Sequence, residues 1–145
     1  MPYRFPLATV LRLRESVQRQ EERALQKILF EMARVTRQIH WLTAEISAAG
    51  NDEERAMQRP IPAGQVRMLA SKKQAAIEKR TALTRHRQTL EQERDRQLDI
   101  YHAAYRNSET LIELRDSKRD EYEQEKTRAD QKRLDDIFAS RRQRS

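Results

Sequence analysis

The chain has 145 residues, of which 37% are hydrophobic and 37% are charged, and its formal net charge is +7. A typical soluble domain has about 45–50% apolar and about 25% charged residues, so this composition excludes an ordinary globular core. Cysteine is absent, glycine and proline are too few for a many-turned β fold, and no apolar run is long enough to span a bilayer. Two alternatives remain: a disordered polyelectrolyte, or long helices with a narrow apolar seam.

The first predicted element is a helix over about 6–58. Pro6 fits the first helical turn, because its missing N–H has no partner there. Farther along, apolar side chains recur at alternating steps of three and four, the spacing that keeps one stripe against a partner helix. These seam positions are Leu25, Ile28, Met32, Val35, Ile39, Leu42, Ile46 and Ala49. Upstream the pattern is looser and is interrupted at Glu21. The apolar residues there are Leu7, Val10, Leu11, Leu13 and Val17.

The sequence predicts a sharp reversal at about 59–64. Pro60 and Pro62 lie two residues apart, and both cannot continue a helix because each lacks an N–H and clashes with the preceding turn. Gly64 follows them directly. Gly50 either ends the first helix or merely weakens it, since the residues after it are good enough helix formers to continue.

The second predicted helix covers about 65–140, a stretch without glycine or proline. Its first seam residues follow a seven-residue step: Leu69, Ala76, Leu83 and Leu90. The apolar pattern then slips by one residue, which predicts a stutter that relaxes the supercoil. The seam after the stutter is Leu98, Tyr101, Tyr105, Ser108 and Ile112. Long basic side chains are expected to lay their methylenes over the seam at Lys73, Arg80, Arg87 and Arg94.

One turn and two helices predict an all-α fold, an antiparallel two-helix coiled-coil hairpin that forms a single domain over 1–145. With the reversal near residue 61, residue 7 lies opposite roughly residue 115. The last 25 residues or so then have no intramolecular partner. At about 1.5 Å per residue they form an overhanging C-terminal helix of roughly 35–40 Å.

The positive charge is uneven, and it is concentrated in 1–37 and 67–96. A basic helical surface is one feature of nucleic-acid-binding proteins. Acidic residues are interleaved with nearly every basic one, however, and few aromatic residues are free to stack on bases, so a solvated coiled-coil surface is favoured. The sequence has no phosphate-binding loop, no nucleophile motif and no HExxH spacing. We therefore expect no enzymatic activity, no metal site, no cofactor and no small-molecule substrate.

Two aromatic residues lie off the seam of the first helix. Phe30 and Trp41 are separated by 11 residues, close to three helical turns, so they share one outward stripe. Either the apolar face is simply broader here, or the two side chains form an outer patch for a partner, because aromatic residues are frequent anchors of binding surfaces.

Both ends of the sequence resemble the terminal signatures of a known family. The opening signature is Phe5-x-Leu7-x-x-Val10-Leu11-x-Leu13-Arg14-Glu15. The closing signature is Asp130-Gln131-Lys132-Arg133-Leu134-Asp135-Asp136-Ile137-Phe138-Ala139. Together with the middle segment 83–90, they make the chain similar to the FliJ family, small cytoplasmic proteins of the bacterial flagellar type III export apparatus.

The resemblance implies a stalk that inserts its terminal end into the ring of the flagellar export ATPase and promotes ring assembly and turnover. It also implies contacts with the export gate and with export chaperones, and association with the inner membrane only through the export apparatus. The residues that it assigns to ATPase binding are Phe5, Leu7, Val10, Leu11, Arg14, Gln131, Lys132, Leu134, Asp135, Asp136 and Phe138. Ala82 and His86 are assigned to the gate contact. Two other functions remain open: the stalk protein of a virulence-type injectisome, and a basic helical nucleic-acid-binding protein.

Overall fold

The structure is a computed structural model that describes residues 2–144. It contains two helices, α1 over Ala8–Gln58 and α2 over Ala63–Arg144. The two helices pack against each other as a hairpin, which confirms the predicted all-α coiled-coil fold. The chain divides into two compact units: a turn unit over Glu21–Ile100, and a terminal unit that contains the chain up to Gln20 and from Tyr101 onward.

α1 begins two residues later than the proline pattern predicts. The amide of Ala8 donates a hydrogen bond to the carbonyl of Phe5 at 3.1 Å, and the amide of Leu11 donates to the carbonyl of Leu7 at 2.9 Å. Pro6 therefore lies in a turn just ahead of the helix, where its missing N–H still leaves no partner unsatisfied.

The reversal between the helices is made by prolines rather than by glycines. Pro62 accepts hydrogen bonds from the amides of Gln65 at 2.9 Å and Val66 at 3.4 Å, and these bonds form the first turn of α2. Gly64 lies inside that turn, and no glycine of the described chain has a positive φ. The rigid φ of proline is sufficient to stop α1 and start α2 within four residues.

The core of the turn unit is a set of interlocking apolar side chains. Val35 and Ile39 of α1 and Leu90 of α2 form its buried centre, and Met32 and Leu83 pack against them. The predicted seam of α1 is therefore confirmed, because every position from Leu25 to Ala49 in it is buried or half-buried. Burial of each such side chain contributes about 1.5–3 kcal/mol, so these layers supply much of the stability of the hairpin.

The predicted cover of basic side chains over the seam is also confirmed. Lys73, Arg80, Arg87 and Arg94 are all half-buried, as expected for long chains that lie along the groove between two helices. Lys73 pairs with Glu53 of α1 at 3.2 Å. The Nε of Arg87 is buried without a hydrogen bond and lies 4.0 Å from the carboxylate of Glu91, so the side chain combines packing of its methylenes with a long ion pair.

The predicted stutter in α2 is wrong. Half-buried positions continue at steps of three and four through Arg94 and Gln97, whereas Leu98 is exposed. Gln97 occupies the seam because its Nε2 donates hydrogen bonds to the carboxylate of Glu21 at 2.6 Å and to the Glu21 backbone carbonyl at 3.1 Å. A polar pair thus takes the layer that an apolar pattern assigns to Leu98.

The terminal unit has a smaller core with polar residues in it. Its buried side chains are Leu11, Ala104 and Ser108. The hydroxyl of Ser108 lies 2.5 Å from Gln18 Oε1 and 3.0 Å from the carbonyl oxygen of Tyr105. Ser108 is buried as predicted, whereas Ala104 takes the seam position that the sequence assigned to Tyr105, whose side chain is exposed.

The N-terminal segment extends the coverage of α2 beyond the predicted limit. Leu7 lines one shallow groove with Leu114 and Lys118, as the predicted pairing of residues 7 and 115 requires. The rings of Tyr3 and Tyr122 then meet with centroids 5.5 Å apart. The overhang therefore begins after residue 122 rather than after 115, and every residue over 123–144 is exposed. This stretch measures about 33 Å at 1.5 Å per residue.

Candidate partner-binding surfaces

The N-terminal candidate residues form an exposed surface around one buried member. Leu7, Val10 and Arg14 are exposed and Phe5 is half-buried, whereas Leu11 is only 3% exposed. Leu11 therefore packs inside the terminal unit and supports this surface from within.

Two further apolar side chains continue this surface along α1. Leu13 and Val17 are exposed and share a helical face with Val10 at spacings of three and seven. They point away from α2 because the seam here is taken by Leu11 and by the half-buried Gln18. We call Val10, Leu13 and Val17 the N-terminal apolar stripe. Sequence reasoning noted these residues but did not assign Leu13 and Val17 to a binding surface, although their three-and-four spacing was the available signal.

The C-terminal candidate residues lie on the overhanging part of α2. All six are exposed: Gln131, Lys132, Leu134, Asp135, Asp136 and Phe138. Leu134, Ile137 and Phe138 are large apolar side chains spaced three and four apart, so they share one face of the helix. We call these three residues the C-terminal apolar cluster. On the flanking surface, Gln131 donates a hydrogen bond to Asp135 at 3.3 Å.

The two terminal groups belong to one unit but do not form a single continuous site. The N-terminal segment reaches along α2 as far as Tyr122. Residues 131–138 lie roughly 14–24 Å farther along the helix, at 1.5 Å per residue. A partner that contacts both groups must therefore cover an extended length of the terminal unit rather than fill one pocket.

The gate-contact candidates lie in the turn unit. Ala82 and His86 are both exposed and one helical turn apart. Nε2 of His86 lies 3.8 Å from a carboxylate oxygen of Glu31 on α1. Arg34 donates two hydrogen bonds to the same carboxylate, one of them from Nε at 2.9 Å. These hydrogen bonds from Arg34, followed by the positive charge of Arg34 and the contact with His86, lower the pKa of Glu31 below its ordinary value.

The outer-patch candidates are both exposed, Phe30 by 68% and Trp41 by 62%. Their exposure shows that the apolar core does not broaden to include them. Trp41 also borders a shallow groove of about 170 Å³ between the two helices. The groove has a floor of small and aliphatic side chains with charged residues at its edges. Its other lining residues are Leu42, Glu45, Ala48, Ala49, Asp52, Leu69, Lys72, Lys73 and Ala76.

Residues 2–144 contain neither a metal-binding cluster nor a membrane-spanning helix. Over residues 2–144, no group of three or more His, Asp or Glu side chains converges closely enough to hold a metal ion. Within the same range, neither helix contains a stretch long and apolar enough to cross a bilayer. The sites that the structure presents are exposed surfaces of the kind that bind other macromolecules.

Comparison with known proteins identifies one family. The model of the family described as "Flagellar FliJ protein" matches residues 3–145, nearly the whole chain. No curated protein and no solved structure matches the chain. The family match agrees with the two-helix hairpin and with the terminal signatures, and it identifies a flagellar rather than an injectisome protein. The chain belongs to the flagellar FliJ protein family and is a non-catalytic, coiled-coil component of the flagellar export apparatus.

Proposed function

We propose that this protein is a stalk and regulator of the flagellar export ATPase. In this proposal, the terminal unit enters the ring of ATPase subunits and promotes its assembly and turnover. The observation that supports it most is the C-terminal apolar cluster of Leu134, Ile137 and Phe138, which is exposed on a stretch of helix that no other element covers. A ring that closes around this stretch would remove the cluster from water.

The charges beside the cluster fit the same proposal. Lys132 lies one helical turn before Asp136, and Asp135 lies beside Leu134, so both signs of charge flank the apolar face. Exposed pairs of this type contribute only about 0.2–1 kcal/mol, which leaves a free helix marginal in water. Contact with a ring would therefore order this stretch and bury its apolar face in one step.

We assign further export partners to other surfaces. The exposed face of Ala82 and His86 is proposed to contact the export gate, and the patch of Phe30 and Trp41 to contact either the gate or an export chaperone. The protein would act in the cytoplasm, as the family does, and reach the export apparatus at the inner membrane by these contacts. Family membership supports partners of this kind, whereas the assignment to individual residues is ours.

The proposal is tested by measuring ATP hydrolysis by the cognate export ATPase with the full-length protein and with two variants. Deletion of residues 130–145 removes the C-terminal apolar cluster, and Leu134→Ser with Phe138→Ser removes its largest side chains. Both variants are expected to keep cooperative melting and to lose stimulation of hydrolysis, because neither change touches a buried residue.

A matched control is Val66→Ser with Met68→Ser, which replaces two exposed apolar side chains in the turn unit. It is expected to stimulate hydrolysis like the wild type. Full stimulation by the truncated protein would exclude insertion of this end into the ring. Loss of cooperative melting in the truncated protein would instead show that residues 130–145 stabilise the hairpin.

A further inference from the structure

The reversal between the helices carries an apolar surface that the fold does not cover. Met57, in the last turn of α1, is 87% exposed, and Met68, in α2, is 71% exposed. Val66 is also exposed, and Ile61 is half-buried between the two prolines of the turn. We call these four residues the turn tip. Met57 and Val66 line one open groove and Ile61 lines another, so the turn tip is an open apolar surface rather than a closed pocket.

The segment around the turn tip has charge of one sign. Between residues 55 and 77 the sequence contains five basic residues and no acidic one. The five are Arg55, Arg59, Arg67, Lys72 and Lys73. This contrasts with the rest of the chain, where acidic residues are interleaved with basic ones.

Four of these five basic residues have no ion-pair partner in the part of the chain that the structure describes. Lys73 pairs with Glu53, whereas no carboxylate lies within 4 Å of the other four. Arg55 and Arg59 line one open cleft of about 510 Å³ together with Ile61, and the single carboxylate in its lining is that of Asp52. Cationic groups and apolar side chains therefore share the same surface.

We propose that the turn tip docks on an anionic phospholipid surface. In this arrangement the side chains of Met57, Ile61 and Met68 enter the boundary between headgroups and acyl chains, and the unpaired basic residues contact the phosphates. Apolar side chains flanked by basic ones bind a membrane interface in this way, with contributions from buried apolar area and from attraction to anionic lipid. The proposal concerns the turn unit only, and it is independent of the ATPase contact assigned to the terminal unit.

The charge and openness of the surface favour lipid. Met57 and Met68 are each more than two-thirds exposed. The open groove that Met57 and Val66 share with Ala56, Leu69 and Ala70 has one ionisable lining residue, Glu53, which already pairs with Lys73. A planar, deformable anionic surface can contact both the projecting side chains and the surrounding cations.

The experiment is co-sedimentation of the full-length protein with vesicles. One set is phosphatidylcholine alone, and in the other about a third of the lipid is phosphatidylglycerol. Binding to the anionic set only is expected, with weakening between about 0.1 and about 0.5 M salt as the charges are screened. Each basic residue near such a surface contributes about fivefold, so Arg55→Gln with Arg59→Gln and Arg67→Gln should weaken binding about a hundredfold.

A matched control removes three positive charges from the C-terminal part of α2 instead. Lys126→Gln with Arg128→Gln and Arg133→Gln changes three exposed basic residues of α2 that have acidic neighbours in sequence. Its binding should fall by less than about threefold, since the proposal brings only the turn unit to the lipid and these three residues belong to the terminal unit. Met57→Ser with Met68→Ser should weaken binding to the anionic vesicles at about 0.1 M salt, because apolar insertion adds to the attraction between charges, and should leave the melting temperature unchanged.

Site-specific fluorescence gives a second readout that does not depend on the strength of binding. The chain has no cysteine, so Met68→Cys carries a polarity-sensitive dye at the turn tip only, and Phe30→Cys carries it elsewhere in the same unit. A blue shift of the dye at residue 68 alone, on anionic vesicles, supports insertion of the tip. Equal shifts at both positions, equal loss of binding in the two charge variants, or binding to soluble polyglutamate but not to vesicles would overturn the proposal. The last result would indicate an acidic protein surface.

Discussion

The turn unit and the terminal unit follow the same three-and-four spacing but place different side chains along it. In the turn unit, Val35, Ile39 and Leu90 form an apolar centre. In the terminal unit, the corresponding positions include Gln18 and Ser108, which contact each other inside the seam. An apolar layer stabilises the hairpin by removing surface from water, whereas a hydrogen-bonded polar layer contributes only about 0.5–1.5 kcal/mol net.

The residues that occupy the seam also determine which apolar side chains of the terminal unit are exposed. Because Leu11, Gln18 and Ser108 occupy the seam of the terminal unit, Val10, Leu13 and Val17 lie outside it, and Leu134 and Phe138 lie on helix that no other described element covers. The terminal unit therefore has fewer buried apolar side chains than the turn unit. Low local stability is typical of the segments that bind partners and change conformation.

The largest loss of stability is expected from a substitution in the apolar centre of the turn unit. Ile39→Asp places a carboxylate without a partner among buried apolar side chains, and we expect the hairpin to lose about 3–5 kcal/mol of unfolding free energy. Phe30→Asp, a change of similar chemistry at an exposed position of the same helix, should have little effect. Thermal melting followed by circular dichroism measures both, and an unchanged melting temperature for Ile39→Asp would contradict the packing described here.

A matched pair of truncations compares the two kinds of layer directly. Leu90→Ala in the turn unit should cost about 2–5 kcal/mol, because it leaves a cavity next to Val35 and Ile39. Ser108→Ala in the terminal unit should cost only about 1 kcal/mol, because half-buried Gln18 can turn to water instead. Urea unfolding of both variants gives the two values. Equal costs would show that the polar layer is as important to stability as the apolar one.

Trp41 is a large apolar side chain of the turn unit that lies outside the seam. Its removal therefore separates the contribution of the seam to stability from that of exposed apolar residues. With 62% of the residue exposed, Trp41→Ala should change the unfolding free energy by no more than about 0.5 kcal/mol. If the proposed outer patch is correct, the same variant should bind the export gate or an export chaperone more weakly in a pull-down. A large drop in melting temperature would show that the indole stabilises the helix pair across the adjoining groove.

Much of the fold could be predicted because it depends on a repeating pattern. The spacing from Leu25 to Ala49 predicted the seam of α1, and Pro60 and Pro62 predicted the reversal within two residues of its observed place. The half-burial of basic residues beside the seam followed from the length of their side chains. Each of these predictions requires only that apolar surface be removed from water.

The predictions that were wrong concern polar residues. The apolar pattern assigned one layer of the seam to Leu98, whereas Gln97 occupies it through a hydrogen bond to Glu21, a residue 76 positions earlier. A pairing between residues so far apart in sequence leaves no local periodicity. The stacking of Tyr3 on Tyr122, which shortens the overhang, could not be predicted for the same reason. The family signatures located the terminal surfaces, but they could not show that Leu11 is buried beneath one of them.

The smallest expected effect concerns the polar contact beside the apolar centre. Glu31 accepts hydrogen bonds from Arg34 and lies near His86, and these contacts lower its pKa from an ordinary value of 4.5. A carboxylate whose pKa is lower in the folded state stabilises the fold above its ordinary pKa, and this stabilisation is lost as the pH falls through the folded-state pKa. The Glu31 side chain is half-buried and its charge is partly screened by water, so we expect a slight loss of stability below pH 4.5 that Glu31→Gln abolishes.

The titration of Glu31 followed by NMR tests this directly. Arg34→Gln should raise the pKa of Glu31 toward its ordinary value, because Arg34 donates both hydrogen bonds. His86→Gln should raise it less, since the imidazole is 3.8 Å away. If His86→Gln raised the pKa of Glu31 as much as Arg34→Gln, the contact across the two helices would be as strong as the contact within α1. The Glu31–His86 pair would then belong with Gln97–Glu21 among the polar contacts that hold the helices together.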